Sequence, residues 1–104
     1  MKRNVLVIGA GGVGHVVAHK CAQNNLLLGD IHIASRTVSK CHDIIRSVRE
    51  KGSMQGPGRL EAHALDALDL EATKALIRET GSQIVINVGS PFVNMTVLQA
   101  CIDT

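Results

Sequence analysis

At 104 residues, 45% apolar content and a formal net charge of +2, the chain is long enough for one small domain with a single core and too short for two. Lys and Arg form no basic stripe, and with no Trp, no Tyr and only Phe92 there is no aromatic platform for stacking bases, so nucleic acid is not an expected partner. No run approaches the roughly 18 to 20 apolar residues of a membrane helix, and Asn4 to Ile8 is too short for a secretory apolar region, so a cytoplasmic protein without a membrane partner is expected.

Val5 to Ile8 is a continuous apolar run of the kind found in a strand buried on both faces of a parallel sheet. Four glycines follow, and Val13, Val16, Val17 and Cys21 then recur at helical spacing up to Asn24 and Asn25. Ile31 to Ala34 is a second short strand. Ser39 to Lys51 has the length and the Ile44, Ile45, Val48 stripe of a second helix. The stretch GSMQGPG, 52 to 58, reads as a surface loop. Leu60 to Leu65 is a third strand, Leu70 to Thr80 a third helix ended by Gly81, and Ile84 to Val88 a fourth strand. Asn94 to Thr104 reads as a last helix after a turn at Ser90 and Pro91.

Strands and helices alternate throughout, which predicts a parallel sheet with helices on both faces and right-handed crossovers. The economical topology is a Rossmann-type α/β unit with strand order 3-2-1-4, the mononucleotide-binding half of a doubly wound fold. Residues 1–104 then form one domain, expected to be truncated, with an open edge at the fourth strand.

Cys21, Cys41 and Cys101 are widely spaced and contain no C-x-x-C pair, so reduced thiols are expected. His15, His19, His32, His42 and His63 show no ligand spacing along the chain, and no metal is expected.

The segment Gly9-Ala10-Gly11-Gly12-Val13-Gly14 fits G-x-G-x-x-G. The pattern is weak alone, but here it follows a buried-type strand and opens a helix, the context it requires. Gly9 permits the tight turn, Gly11 lets the backbone approach a pyrophosphate, and Gly14 lets the helix pack against the sheet. Phosphate charge then meets the free N–H groups of the helix start.

A site for NAD places Asp or Glu at the carboxyl end of the second strand. Asp30 has about the right count but stands at the amino edge; the carboxyl end carries Ser35, Arg36 and Thr37. Hydroxyls and a guanidinium without a carboxylate favour a 2′-phosphate, hence NADP(H). Lys40 adds charge one turn on. The alternative is that Ser35 and Thr37 only cap the second helix. Asp66, after the third strand, is placed to receive the adenine amino group or, like Asp69, to cap the third helix. Asn87, Val88, Gly89 and Ser90 follow the fourth strand on the glycine-turn edge, where Gly89 allows close approach to the nicotinamide side and Pro91 fixes the turn. His15 stands in the first turn beside the phosphate site.

VLVIGAGGVGHVVAHKCAQ, IHIASRTVSKC and INVGSPFVNMTVLQACIDT together resemble the amino-terminal part of the saccharopine dehydrogenase-like reductases, most closely their carboxynorspermidine-forming branch. The resemblance covers essentially the whole chain. It implies a longer parent protein whose second domain supplies the imine site, small-molecule substrates bound through that missing domain, a homo-oligomeric parent, and polyamine or lysine-type metabolism. The reaction it implies is a reductive condensation of an amine with an aldehyde or keto acid. Gly9, Gly11, Gly12, Val13 and Gly14 are then expected at the pyrophosphate, Ser35, Arg36 and Thr37 at the 2′-phosphate, Asp66 and Ala67 at the adenine, and Asn87, Gly89 and Pro91 at the nicotinamide side. The catalytic residues are not identified, and this chain alone is expected to be inactive. The competing readings are another NAD(P)-linked dehydrogenase and a stand-alone nucleotide-sensing domain; a short-chain dehydrogenase is disfavoured because its catalytic Tyr has no counterpart in a chain without Tyr.

Overall fold

The structure is a computed structural model that describes residues 3–24, 28–52, 58–88 and 94–104. In chain order the elements are β1 (Arg3–Ile8), α1 (Gly12–Gln23), β2 (Leu28–Ser35), α2 (Val38–Glu50), β3 (Leu60–Ala64), α3 (Leu70–Thr80), β4 (Ser82–Asn87) and α4 (Asn94–Asp103). All pairings are parallel and the strand order is β3-β2-β1-β4, as the alternation predicts. The GSMQGPG loop lies almost wholly outside the described residues.

The period of two along the strands divides the core into two layers. Val5, Val7, Ile31 and Ile33 pack with α1 and α2 on one face. Leu6, Ile8 and Ala34 pack with α3 and α4 on the other. α2 buries Cys41, Ile44, Ile45 and Val48, the stripe expected of it. α3 is closed at both ends by its own sequence: Asp69 Oδ1 accepts the Ala72 N–H at 3.1 Å, and Gly81 stops the helix with a left-handed φ of 61°.

α1 keeps only part of the expected apolar stripe: Cys21 is buried and Val17 packs against the core. Val13 and Val16 are 64% and 58% exposed, and the buried face is made of Gly14, Ala18, Cys21 and Ala22. The reason is distance: a helix that starts against the β1 turn must sit close to the sheet, and only small side chains fit between them. β2 also begins earlier than Ile31, at Leu28, so Asp30 lies inside the strand but in its amino half.

That earlier start depends on Asn4. Its Oδ1 accepts the Asp30 N–H at 2.9 Å and its Nδ2 donates to the Thr80 carbonyl at 3.0 Å. A side chain on Gly29 would run into the same Oδ1. Asn4 thus ties β1 to β2 and to the end of α3, at the point where the register of both β1 pairings shifts. Asn4→Ala is expected to destabilise the fold by about 1–3 kcal/mol, because it leaves a part-buried donor and acceptor unpaired. Urea unfolding followed by circular dichroism checks this, and an unchanged midpoint contradicts it.

Both thiols that the core takes up, Cys21 and Cys41, are free, and burial pushes their pKa up, keeping them protonated and weakly reactive. Among the described residues no helix is long and apolar enough to cross a membrane.

Candidate functional site

Because the sheet is parallel, β1, β2, β3 and β4 all end on one edge, where Gly9, Ser35, Asp66 and Asn87 stand at or just after the strand ends. Gly9 leaves β1 with a left-handed φ of 116°, which an L side chain resists. Its N–H donates to the Ala34 carbonyl at 2.8 Å, so the turn starts flush against the end of β2.

The glycines of the turn have separable roles. A Cβ on Gly14 would run into the Gly9 carbonyl oxygen and approach Val88 Cγ2 at 3.4 Å, so Gly14 is required by the protein's own packing. A Cβ added at Gly11 or Gly12 would meet nothing within 4 Å among the described residues, and Gly11 has an ordinary extended backbone (φ −81°, ψ −165°). Neither sterics among the described residues nor backbone geometry asks for glycine at Gly11, and what a side chain there would fill is the open approach to the start of α1.

That helix start is electrostatically bare. Gly11 is its N-cap without a side-chain hydrogen bond, and the first turn holds no acidic residue. The N–H groups of Gly12, Val13 and Gly14 have no partner within the helix, so the positive end of the helix dipole faces the open side. A pyrophosphate is the ligand such a cradle suits. His15 does not point to it: its Nε2 lies 3.2 Å from Ser47 Oγ on α2, shared with His19 Nε2 at 3.1 Å.

At the end of β2, Ser35 is half-buried and Arg36 and Thr37 are exposed. Ser35 Oγ accepts the Thr37 N–H at 3.3 Å. Thr37 is the N-cap of α2 by position but makes no side-chain cap bond, and the first turn of α2 is free of acids. A side-chain cap by Thr37 therefore does not account for this segment. Lys40 is exposed one turn further on.

Arg36 also lines a cavity of about 650 Å³ with Ala64, Leu65, Asp66 and the outer side of α3. Arg36 is the one basic side chain among the described residues lining it. Two carboxylates there are already engaged with backbone: Asp66 Oδ1 accepts the Leu68 N–H at 3.0 Å, and Asp69 caps α3. The cap is therefore Asp69, and Asp66 closes the turn before it. Ala67 is half-buried against the second core layer. Asn87 closes β4 opposite Ile8, and the Val88 N–H continues the ladder to the Ile8 carbonyl at 2.9 Å. Gly89, Ser90 and Pro91 lie outside the described residues.

One grouping was not visible along the chain. His32 of β2 stands opposite Glu61 of β3 in the strand register, and His63 stands opposite Ala34. The His32 Nδ1 and His63 Nε2 atoms are 2.9 Å apart, and Glu61 Oε2 is 3.5 Å from the former and 3.9 Å from the latter. Burial, and then the His63 charge, push the His32 pKa below its usual value, against the opposing pull of Glu61, Asp30 and Glu79. The unfolded chain takes up a proton at His32 below about pH 6.5, whereas the folded chain resists it until a lower pH. Stability is therefore expected to fall as pH drops through that window. Unfolding midpoints at pH 7.5 and 5.5 test this: the His32→Gln variant should lose less on acidification than the parent, and an equal loss contradicts it.

The family model described as "Saccharopine dehydrogenase NADP binding domain" matches residues 5–104. Among curated proteins, a carboxynorspermidine synthase from Vibrio alginolyticus is 54% identical over 98 residues, covering 93% of this chain and 24% of that protein. A carboxyaminopropylagmatine dehydrogenase from Synechocystis is 38% identical over 99 residues, covering 95% and 23%. The chain thus spans about a quarter of the length of these relatives. Among solved structures, a short-chain type dehydrogenase/reductase from Mycobacterium ulcerans matches with a TM-score of 0.73 at 15% identity, covering 97% of this chain and 46% of that one. A malate dehydrogenase from Salinibacter ruber matches with 0.60 at 17% identity, covering 94% and 41%. At such identities the likeness concerns the fold alone.

Proposed function

Since the chain belongs to the saccharopine dehydrogenase NADP-binding domain family, with NADP(H) as its cofactor, we propose that it is the cofactor-holding part of an oxidoreductase that joins an amine to an aldehyde or keto acid and reduces the product. The observation that carries the cofactor part of this reading is the pairing of the bare α1 start with a β2 end that bears Ser35, Arg36 and Thr37 and no carboxylate.

The residues fit the group. Gly11 and Gly12 leave open space where a pyrophosphate would lie, and the free N–H groups of the first α1 turn would hold its oxygens. Arg36 would pair with the 2′-phosphate, with the Ser35 and Thr37 hydroxyls beside it. Asp66 and Ala67 border the region where adenine would sit, and Asn87 ends β4 toward the nicotinamide side. Gly89 and Pro91 belong to the same proposal. When bound, NADPH supplies a hydride for reduction of a carbon–nitrogen double bond. This domain's contribution is to fix the cofactor's position; the catalytic acid or base and the substrate site are proposed to lie outside these residues, so that this chain alone binds cofactor and turns nothing over.

The names of the relatives, a carboxynorspermidine synthase and a carboxyaminopropylagmatine dehydrogenase, support an amine as one substrate. The test is NADPH oxidation, followed by absorbance, by the enzyme that carries this domain. Oxidation is expected only when a short diamine or related amine and an aldehyde are both present, with a secondary amine as product. Oxidation with the carbonyl compound alone, giving an alcohol, overturns the reading.

A further inference from the structure

The His32, Glu61 and His63 grouping bridges β2 and β3 on the sheet face that Ala34 shares with α3 and α4, before the carboxyl ends of the two strands. We propose that these three side chains form a binding site for a divalent transition-metal ion of the zinc class, which clips the edge strand β3 to β2.

The geometry is that of a donor set. Tetrahedral zinc with bonds of about 2.0–2.2 Å separates its ligand atoms by roughly 3.3–3.5 Å. The three facing atoms here are 2.9, 3.5 and 3.9 Å apart, so shifts of a few tenths of an ångström would seat the ion. Two imidazoles and one carboxylate suit zinc, and a fourth position is left for water. Ala34, the cross-strand neighbour of His63, carries only a methyl group, which leaves the His63 ring free to lean toward His32.

The protein's own hydrogen bonds leave this cluster incompletely satisfied. Only one ring proton can lie between the two histidines, and Glu61 Oε2 is too far from His32 Nδ1, and further from His63 Nε2, for a good bond. The Arg59 guanidinium is 3.6 Å from Oε1, the other oxygen of Glu61, so Oε2 is the one turned to the rings. His32 is 4% exposed, and its Nε2 is buried with no hydrogen-bond partner among the described residues. That orphan is on the far side of the ring from His63 and Glu61, so what an ion would relieve is the crowded side, where Nδ1, the His63 Nε2 and the Glu61 Oε2 converge. Metal binding needs no net proton loss from two neutral rings: with His32 protonated on Nε2 and the shared proton carried by His63 Nε2, that proton moves to His63 Nδ1 and both facing atoms then offer lone pairs.

The experiment is a titration of the chelator-stripped protein with zinc chloride, read by competition with a chromophoric chelator, together with the visible spectrum after adding cobalt(II). One equivalent of zinc and the d–d bands of a four-coordinate cobalt site are expected. Glu61→Gln and His63→Ala should each weaken zinc binding by more than about tenfold, while circular dichroism and NADPH affinity stay as in the parent. Cys101 is the exposed thiol among the described cysteines, so Cys101→Ser is the control and should keep the zinc. Absence of stoichiometric binding, or binding that survives Glu61→Gln and His63→Ala but is lost with Cys101→Ser, overturns the proposal.

Discussion

Replacing Arg36 with alanine should weaken NADPH binding by about ten- to a hundredfold and leave NADH binding unchanged. A guanidinium paired with a phosphate dianion contributes roughly 1.5–3 kcal/mol through charge-assisted hydrogen bonds, and about 1.4 kcal/mol corresponds to a factor of ten. Arg36 is exposed, so the lower part of this range applies at physiological salt, and the effect should shrink further as salt is raised. NADH has no 2′-phosphate and therefore nothing to lose. Fluorescence or calorimetric titration of both cofactors against both proteins gives the comparison. Equal losses for the two cofactors would mean that Arg36 supports the loop rather than reads the phosphate.

Alanine at Gly11 and alanine at Gly14 should fail in different ways. Gly14→Ala drives a Cβ into the Gly9 carbonyl, a backbone atom that cannot swing aside, so α1 must lift from the sheet. Overpacking of this kind costs about 1–3 kcal/mol, and each kcal/mol lowers the melting temperature of a domain this size by about 4–8 °C. Gly11→Ala meets no atom of the described residues within 4 Å; its effect on stability should stay under about 1 kcal/mol, the scale of a changed N-cap. Its Cβ would instead occupy the approach to the helix start, and NADPH affinity should drop more than about tenfold. If Gly11→Ala unfolds the domain, or binds NADPH as the parent does, the division of roles is wrong.

Much of the architecture was legible because strand and helix periods do not conflict here. The β1 run, the α2 stripe and the Gly81 stop each occur where the sequence pattern places them. The misreadings have tertiary causes. In α1 the β-branched valines stand out in the pattern, yet Val13 and Val16 face outward and the buried face is Gly14, Ala18, Cys21 and Ala22, chosen by how close the helix must come to the sheet. The start of β2 was hidden because Gly29 and Asp30 look like a turn; they are extended because Asn4, distant in sequence, bonds the Asp30 N–H and fills the space beside Gly29.

The site divides in the same way. Gly9, Gly11 and Gly14 and the Ser35, Arg36, Thr37 segment are local motifs, and a parallel sheet brings them to one edge. His32 and His63 are 31 residues apart and become neighbours only through the β2–β3 register, which no spacing rule along the chain encodes. The bond from His15 to Ser47 across the α1–α2 contact was hidden for the same reason.

The most direct test is the ratio of dissociation constants for NADPH and NADH, measured on the unaltered protein in one buffer of physiological salt. Tighter binding of NADPH, by about tenfold or more, is the expected result. Equal constants, or a preference for NADH, would contradict the assignment of the β2 end to a 2′-phosphate.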